Sequence, residues 1–250
     1  MFSGKRIWAP LLDLVLPRAC PVCNQTLSRA DDTWCGVCTR KLMEAVTPPS
    51  GYCHRCARTI GPYLQYADGC ADCRDKRLSL DGMARVGPYR DILKSMIASY
   101  KFGRDQRLDR SLGTLLASAV AGHAWAGQLD ALIPVPTTWW NRLRYRFRPA
   151  VQLARVAGRE LRLPALPLIR VAGKKHNQMD LPASERPRNV RGVFKIHPTA
   201  RVAGTQLCVV DDVCTSGATL NEIARVLKKA GAVAVYGAVV AKTDVDDPMA

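Results

Sequence analysis

From about residue 81 onward, the chain alternates short apolar runs with segments in which apolar residues recur every three or four positions. Short runs rich in β-branched residues predict buried strands, and the periodic segments predict amphipathic helices. The strands are predicted over 82–87, 130–135, 168–171, 191–196, 206–211 and 232–241. The helices are predicted over 91–100, 108–124, 150–161 and 218–230. This alternation predicts an α/β fold with a mostly parallel sheet covered by helices on both faces.

The first 78 residues follow a different pattern. The apolar run at 7–16 is interrupted by Pro10 and Asp13 and has no small-residue cleavage site, so it predicts an amphipathic helix lying on the protein rather than an export signal. No segment approaches the roughly 20 apolar residues of a membrane span. Residues 18–78 are rich in turn residues, poor in helical patterns and too few to bury a core without a staple. We therefore expect an N-terminal domain over 1–78 and an α/β domain over 79–250.

Eight of the ten cysteines supply that staple as four C-x-x-C pairs. The pairs are Cys20/Cys23, Cys35/Cys38, Cys53/Cys56 and Cys70/Cys73. Thiolates two residues apart fit one edge of a tetrahedron, so the spacing predicts two structural Zn²⁺ ions. Consecutive and interleaved pairings both stay open, and His54 is an alternative ligand. Reduced thiols holding metal indicate a cytoplasmic protein.

The charge of the chain is strongly basic. Eight thiolates with two Zn²⁺ ions would lower the formal charge from +16 to about +12. The excess is concentrated in residues 141–191, which carry thirteen Lys or Arg against three acids. A patch of this kind attracts polyphosphate, nucleic acid or an acidic partner, although a basic face also serves solubility alone.

One stretch, residues 207–220, joins a buried strand to candidate chemistry. Its apolar run ends in Asp211 and Asp212, at the carboxyl end of the predicted strand, where open α/β sheets bind their ligands. A turn rich in hydroxyl groups follows and leads into the next helix; its residues are Thr215, Ser216, Gly217, Ala218 and Thr219. Gly217 permits a backbone conformation that a Cβ disfavours, and amides at a helix start favour an anion. This order of parts predicts a sugar-phosphate site.

The same stretch resembles the 5-phosphoribosyl-1-pyrophosphate (PRPP) motif of type I phosphoribosyltransferases at every defining position. The resemblance implies a type I phosphoribosyltransferase-like sheet, and transfer of a phosphoribosyl group from PRPP to a nitrogenous acceptor. Asp211 and Asp212 are then expected to hold the ribose hydroxyls and Mg²⁺. Residues 215–219 are expected to hold the 5-phosphate of PRPP or of another ribose 5-phosphate ligand.

Two further segments are expected to complete this site. Type I enzymes carry a pyrophosphate loop after a strand such as 130–135, and here that segment is crowded with arginines. Arg142 and Arg146 of this segment are therefore candidate pyrophosphate ligands, since paired N–H donors suit a diphosphate. Lys101, from an earlier segment, is a third candidate. Residues 173–189 form a long loop without periodicity, which is typical of a lid that excludes water.

Nearly the whole chain resembles the ComF family, which includes competence proteins and is related to amidophosphoribosyltransferases. The resemblance rests on the cysteine pairs, the segment 100–103 with Lys101, the Pro-Val-Pro turn at 134–136, the loop with Gln178 and Arg186, and the PRPP-like motif. It implies a double zinc ribbon and a role in DNA uptake or nucleotide salvage. Gln178 and Arg186 are expected to act in catalysis beside the two aspartates.

Alternatives to a transferase stay open at this point. Family members commonly carry Arg-Gly-Phe-Asn-Gln where residues 145–149 read YRFRP, which is a departure in the pyrophosphate loop. The chain is alternatively a non-catalytic PRPP- or nucleotide-binding protein whose ribbon and basic aromatic patch, residues 139–148, bind single-stranded DNA. Competence or DNA-processing proteins are the partners that this role implies. In a third interpretation the ribbon is only a lid or a dimer contact, which leaves a homodimer open.

Overall fold

The computed structural model of the chain describes residues 18–28, 34–61, 68–102, 107–136, 148–172 and 191–244. The helices are α1 Gly36–Ala45, α2 Asp91–Phe102, α3 Arg107–Ala121, α4 Pro149–Leu161 and α5 Ala218–Lys229. The strands are β1 Gly82–Pro88, β2 Ala131–Pro134, β3 Ile169–Val171, β4 Phe194–Ile196, β5 Gln206–Cys214 and β6 Ala234–Lys242. Every element predicted beyond residue 81 is present, with ends shifted by at most three residues. The predicted helix over 7–16 lies outside the described residues.

The main sheet has the strand order β1-β6-β5-β2, and each of its pairings is parallel. β1 is buried along its whole length, as a strand covered on both faces should be. β3 and β4 form a separate antiparallel pair. The mostly parallel sheet that the sequence predicts is therefore confirmed. Among the described residues, no helix is long and apolar enough to cross a membrane.

Helices cover both faces of the sheet. On one face, α2, α3 and α4 pack against strand residues such as Leu132 and Val210. On the other face, α5 and the β3–β4 pair pack against Val209, whose side chain points opposite to that of Val210. α5 buries Leu220, Ile223, Ala224 and Leu227, at the spacing of one helical face.

Within the described part of residues 18–78, α1 is a helix that the sequence does not predict, and the segment is otherwise helix-poor, as expected. α1 buries only Cys38 and Leu42, one turn apart, so ten residues carry too few apolar positions to reveal the period. Cys20, Cys35 and Cys38 share the core that contains α3 and the sheet. The cysteine-bearing segment therefore packs directly on the α/β domain.

The strand that carries the two aspartates is longer than predicted. It was expected to end at Asp211, but β5 continues to Cys214 because β6 pairs with it as far as Lys242. On its other edge, β2 ends opposite Val210. Among the described residues, β5 has a strand partner on one side only beyond that point, so the residues that follow Val210 line a strand edge left open in this part of the chain.

Candidate functional site

Asp211 and Asp212 lie on this open edge of β5, immediately after the last residue paired with β2. Asp212 is buried at 7% exposure, and Asp211 is half-buried. The Asp212 Oδ1 accepts a hydrogen bond from the Val213 N–H at 2.7 Å, and the Asp211 Oδ1 accepts one from the Asp212 N–H at 3.0 Å. Each carboxylate is thus oriented by a hydrogen bond from the backbone amide that follows it.

Lys101, in the last turn of α2, reaches the acid pair. Its Nζ lies 2.9 Å from the Asp212 Oδ1. Burial by itself would lower the pKa of Lys101, but the neighbouring Asp212 and Asp211 carboxylates outweigh burial and raise it. The sequence predicts Lys101 as a pyrophosphate ligand. The structure places it in the predicted site, where it pairs with Asp212. It stays charged there and partly neutralises the acid pair.

The phosphate turn, which we define as residues 215–219, connects β5 to the N-terminus of α5. Gly217 has a φ of +79°, in the left-handed region that other residues avoid. The Ser216 hydroxyl accepts a hydrogen bond from the Ala218 N–H at 3.4 Å. α5 has no acidic residue in its first turn, so no side chain of that turn opposes an anion at the helix amides. This end of the helix is suited to an anion.

Lys242, the last residue of β6, is a part of the site that the sequence reading missed. Its Nζ donates hydrogen bonds to the Thr215 carbonyl at 2.5 Å and to the Thr243 carbonyl at 2.7 Å. Lys242 pairs with Cys214 in the sheet, so it ends beside the phosphate turn. A lysine closing the apolar run of residues 234–241 was the available signal, but its use depends on knowing that β6 lies next to β5.

The cysteines form two groups by consecutive pairing. The first cluster is Cys20, Cys23, Cys35 and Cys38, and the second cluster is Cys53, Cys56, Cys70 and Cys73. Within each cluster the sulfur atoms all lie within 4.8 Å of one another. The interleaved pairing is therefore excluded, and His54 does not belong to either group.

Each cluster has the chemistry of a structural zinc site. In the second cluster, a hydrogen bond from the Cys56 thiol lowers the pKa of Cys53 to about 4, and the same bond raises the pKa of Cys56. Four thiolates this close repel one another unless a cation lies between them. Four sulfur ligands at this spacing fit tetrahedral Zn²⁺, so the two clusters fit two structural zinc ions.

The two clusters are built on the same backbone turn. Residues 19 and 26 are bridged as antiparallel partners around Cys20 and Cys23, and Tyr52 and Thr59 are bridged in the same way around Cys53 and Cys56. In each turn a residue with positive φ, Asn24 or Ala57, follows the second cysteine. The cysteine-bearing segment thus contains an internal structural repeat, with one cysteine cluster in each copy.

Several predicted site residues lie outside the described residues. These are Arg142, Arg146, Gln178 and Arg186, together with the aromatic patch up to residue 147 and the loop over 173–189. Their positions around β5 stay predictions from the sequence.

Comparison with protein families finds two domains. The double zinc ribbon domain matches residues 11–74, and the phosphoribosyl transferase domain matches residues 147–247. The first range contains both cysteine clusters, and the second contains β5, the phosphate turn and α5.

Curated relatives match over most of their length. Competence protein F from Haemophilus influenzae is 30% identical over 222 residues, which are 85% of this chain and 91% of that protein. DNA utilization protein YhgH from Escherichia coli K12 is 29% identical over 231 residues, which are 89% of this chain and 96% of that protein. Among solved structures, a purine phosphoribosyltransferase from Pyrococcus horikoshii matches 51% of this chain and 67% of its own, with 23% identity and a TM-score of 0.31.

Proposed function

The chain belongs to the ComF family of competence protein F, and on that basis we propose that its phosphoribosyltransferase domain binds PRPP with Mg²⁺ at the end of β5. One observation carries the proposal. Two carboxylates at the end of β5, on an edge that is open among the described residues, and the N-terminus of α5 lie within residues 211–219. Carboxylates accept hydrogen bonds from ribose hydroxyls, and a helix N-terminus binds phosphate, so one ribose phosphate can engage both.

Asp211 and Asp212 hold the ribose hydroxyls in this proposal. Their oxygen atoms are also the ligand type that Mg²⁺ prefers, so the donor set fits that ion beside a diphosphate. Mg²⁺, when bound, supplies charge neutralisation to the pyrophosphate group. Lys101 already supplies positive charge at Asp212 and is expected to turn toward the pyrophosphate when the ligand enters.

The phosphate turn holds the 5-phosphate through its amides and the hydroxyls of Thr215, Ser216 and Thr219. Glycine at residue 217 aims the following amides outward because its φ of +79° turns the backbone at the start of α5. The helix dipole adds a favourable interaction of about 0.5 to 1 kcal/mol with an anion at this position.

Transfer breaks the bond between ribose C1 and the pyrophosphate oxygen and forms a bond from C1 to a nitrogen of the acceptor. Positive charge develops on the ribose ring as pyrophosphate leaves, so positioning and charge stabilisation supply the catalysis. The candidates for stabilising the pyrophosphate are Arg142, Arg146, Gln178 and Arg186. Lys101 is the candidate among the described residues. Release of pyrophosphate on addition of a nitrogenous acceptor is the assay for turnover.

Isothermal titration with PRPP and Mg²⁺ tests the binding proposal. We expect the wild-type chain to bind PRPP, and the double variant Asp211→Asn/Asp212→Asn to lose at least tenfold in affinity, because amides keep the shape but remove both negative charges. The control Asp68→Asn/Asp75→Asn removes the same charge from the exposed surface of the ribbon and is expected to keep wild-type affinity. Absence of binding by the wild type, or unchanged affinity of the first double variant, contradicts the proposal.

A second function, binding of single-stranded DNA, is favoured by a specific surface. Arg148, Arg155 and Arg159 are exposed. Arg155 and Arg159 lie four residues apart, on one face of α4, and Arg148 immediately precedes the helix. None of the three is paired with an acid in the part of the chain that the structure describes. In the sequence, these arginines lie within the basic segment that begins at residue 141. Exposed arginines arranged in this way suit the phosphates of a nucleic-acid strand.

The salt dependence of binding to a labelled single-stranded oligonucleotide tests this second function. We expect Arg155→Ala/Arg159→Ala to weaken binding and to reduce the slope of log K against log salt by about 1.4, since each lost phosphate contact accounts for about 0.7. Lys195→Ala/Arg201→Ala removes the same charge from exposed positions outside α4 and is expected to change neither value. Equal slopes for the α4 variant and the wild type would rule out the α4 surface.

A further inference from the structure

The segment 242–244 contacts the phosphate turn at one end and the second cysteine cluster's turn at the other. At one end is Lys242, whose ammonium group holds the Thr215 carbonyl. Thr243 is buried at 4% exposure, and its N–H donates to the Cys214 carbonyl at 3.0 Å. At the other end is Asp244. Three consecutive residues therefore connect the phosphate turn to the turn that carries Cys53 and Cys56.

The Asp244 carboxylate accepts two hydrogen bonds from Thr59. Its Oδ1 accepts a hydrogen bond from the Thr59 N–H at 3.0 Å, and its Oδ2 accepts one from the Thr59 hydroxyl at 2.5 Å. Both bonds form one two-point contact between residues 185 positions apart in the chain. Such a contact fixes the direction of Asp244 as well as its distance.

Arg85 of β1 contacts both partners, Thr59 and Asp244. It is 0% exposed, and its guanidinium donates to the Ala57 carbonyl at 2.9 Å and to the Thr59 hydroxyl at 2.8 Å. The Asp244 Oδ1 lies 3.8 Å from the same guanidinium. A fully buried charge is costly without a counter-charge, so Arg85 holds Asp244 in place.

The second cluster determines the shape of the turn that presents these groups. The Cys53 carbonyl accepts from the Ala57 N–H at 2.8 Å, and the Cys53 N–H donates to the Arg58 carbonyl at 2.8 Å. Cys53 and Cys56, the two ligands on this turn, immediately precede the residues that contact Arg85 and Asp244. A metal ion bound by Cys53 and Cys56 therefore fixes the positions of the Ala57 carbonyl and of Thr59.

We propose that the second cysteine cluster, when it holds zinc, orders the phosphate turn through Thr59, Asp244 and Lys242. The part that concerns ligand affinity rests on the proposed function, because it assigns a phosphate group to residues 215–219. Loss of metal from the second cluster loosens Thr59, frees Asp244 and weakens the hold of Lys242 on the Thr215 carbonyl. The turn then pays a larger ordering cost when PRPP binds, and the affinity falls.

Hydrogen exchange at the amides of residues 216–219 tests the connection without PRPP. We expect exchange in the ligand-free protein to be at least threefold faster in Thr59→Val and in Asp244→Asn, with the zinc content unchanged at two ions per chain. Thr26 occupies the equivalent position in the first cluster's turn, so Thr26→Val is the matched control and is expected to exchange like the wild type. Unchanged exchange in both Thr59→Val and Asp244→Asn would overturn the proposal.

Two further measurements connect the metal and the ligand. Cys56→Ser is expected to lower the zinc content to one ion and to speed exchange at 216–219 as the Thr59 variant does. PRPP with Mg²⁺ is expected to slow release of one of the two zinc ions to a chelator, because coupling between sites is reciprocal. If the wild type binds no PRPP, the proposed function fails while the exchange result still decides the connection. Slow exchange retained in Cys56→Ser with one zinc lost would contradict the role of the metal.

Discussion

Lys101 and Lys242 place positive charge at the two ends of the site, and each acts on a different partner. Lys101 pairs with the Asp212 side chain, whereas Lys242 holds the backbone of the phosphate turn. The sequence indicated Lys101 through the family resemblance. Lys242 could not be predicted, because its role depends on which strand lies beside β5. A sequence motif does not reveal charged residues that reach the site from a neighbouring strand.

The ion pair of Lys101 predicts a pH dependence of stability. The pKa of Lys101 is raised in the folded chain above its ordinary value of 10.5, so its contribution is complete below that value and is lost as the pH rises through the folded pKa. We expect Lys101→Met to lower the free energy of unfolding by about 1 kcal/mol at neutral pH, a value that allows for solvent screening of a partly exposed lysine. The deficit should be constant from pH 7 to 9 and shrink in more alkaline solution, as measured by urea denaturation.

Lys94→Met provides the control for this measurement, since Lys94 lies on the same helix with an exposed side chain. It is expected to leave the free energy of unfolding within about 0.5 kcal/mol of the wild type. A Lys101→Met protein as stable as the wild type would show that the ion pair contributes nothing.

Gly217 is expected to matter for both stability and binding. An alanine at a φ of +79° costs about 1 kcal/mol, so Gly217→Ala should lower the free energy of unfolding by that amount and weaken PRPP binding. Gly204 has the same φ of +79°, and a Cβ there would meet no atom within 4 Å. Gly204→Ala should therefore show a similar loss of stability with PRPP affinity unchanged. Equal PRPP affinities for the two variants would contradict a role of residue 217 in the site.

At the scale of elements, the strand, turn and helix of the site follow from the sequence because their signals are local. An apolar run, two acids and a glycine-containing turn are contiguous, so 206–211 and 218–230 were predicted nearly as they are. The full length of β5 was not predicted, because pairing with β6 extends it through Asp212, Val213 and Cys214. Where a strand ends in polar residues, its last residue depends on pairing with a neighbouring strand, and the local sequence does not indicate that pairing.

The packing of α3 against α4 gives a prediction at this scale. A Cβ at Gly113 of α3 would lie 2.4 Å from the Cβ of Val156 of α4, so the two helices approach closely at that glycine. We expect Gly113→Ala to separate the helices and to lower the free energy of unfolding by about 1 to 3 kcal/mol, despite the better helix propensity of alanine. A Cβ at Gly127 would meet nothing within 4 Å, and Gly127→Ala is the neutral control. Chemical denaturation of both variants measures the difference.

At the scale of the whole molecule, the two cysteine clusters join the α/β domain on different contacts. Cys20, Cys35 and Cys38 share the core of α3, whereas the second cluster connects through Arg85 and Asp244. The sequence predicted two zinc sites but not these contacts, since they join residues far apart in the chain. The domain boundary near residue 78 stays a prediction.

Metal content follows from this arrangement. We expect metal analysis of protein purified without chelators to give two zinc ions per chain. Because the first cluster lies in the shared core, chelation should lower the melting temperature of the α/β domain as well as unfold the ribbons. Substoichiometric zinc would contradict the two predicted zinc sites. An unchanged melting temperature after complete chelation would contradict the role of the first cluster in the shared core.

A crystal structure of the chain with PRPP and Mg²⁺ tests the central claim most directly. The account predicts that the 5-phosphate accepts hydrogen bonds from amides of the phosphate turn, and that the ribose hydroxyls contact Asp211 and Asp212. It also predicts that the Lys101 ammonium leaves Asp212 for the pyrophosphate. PRPP bound elsewhere, for example along the arginines of α4, with the end of β5 empty, would contradict the claim.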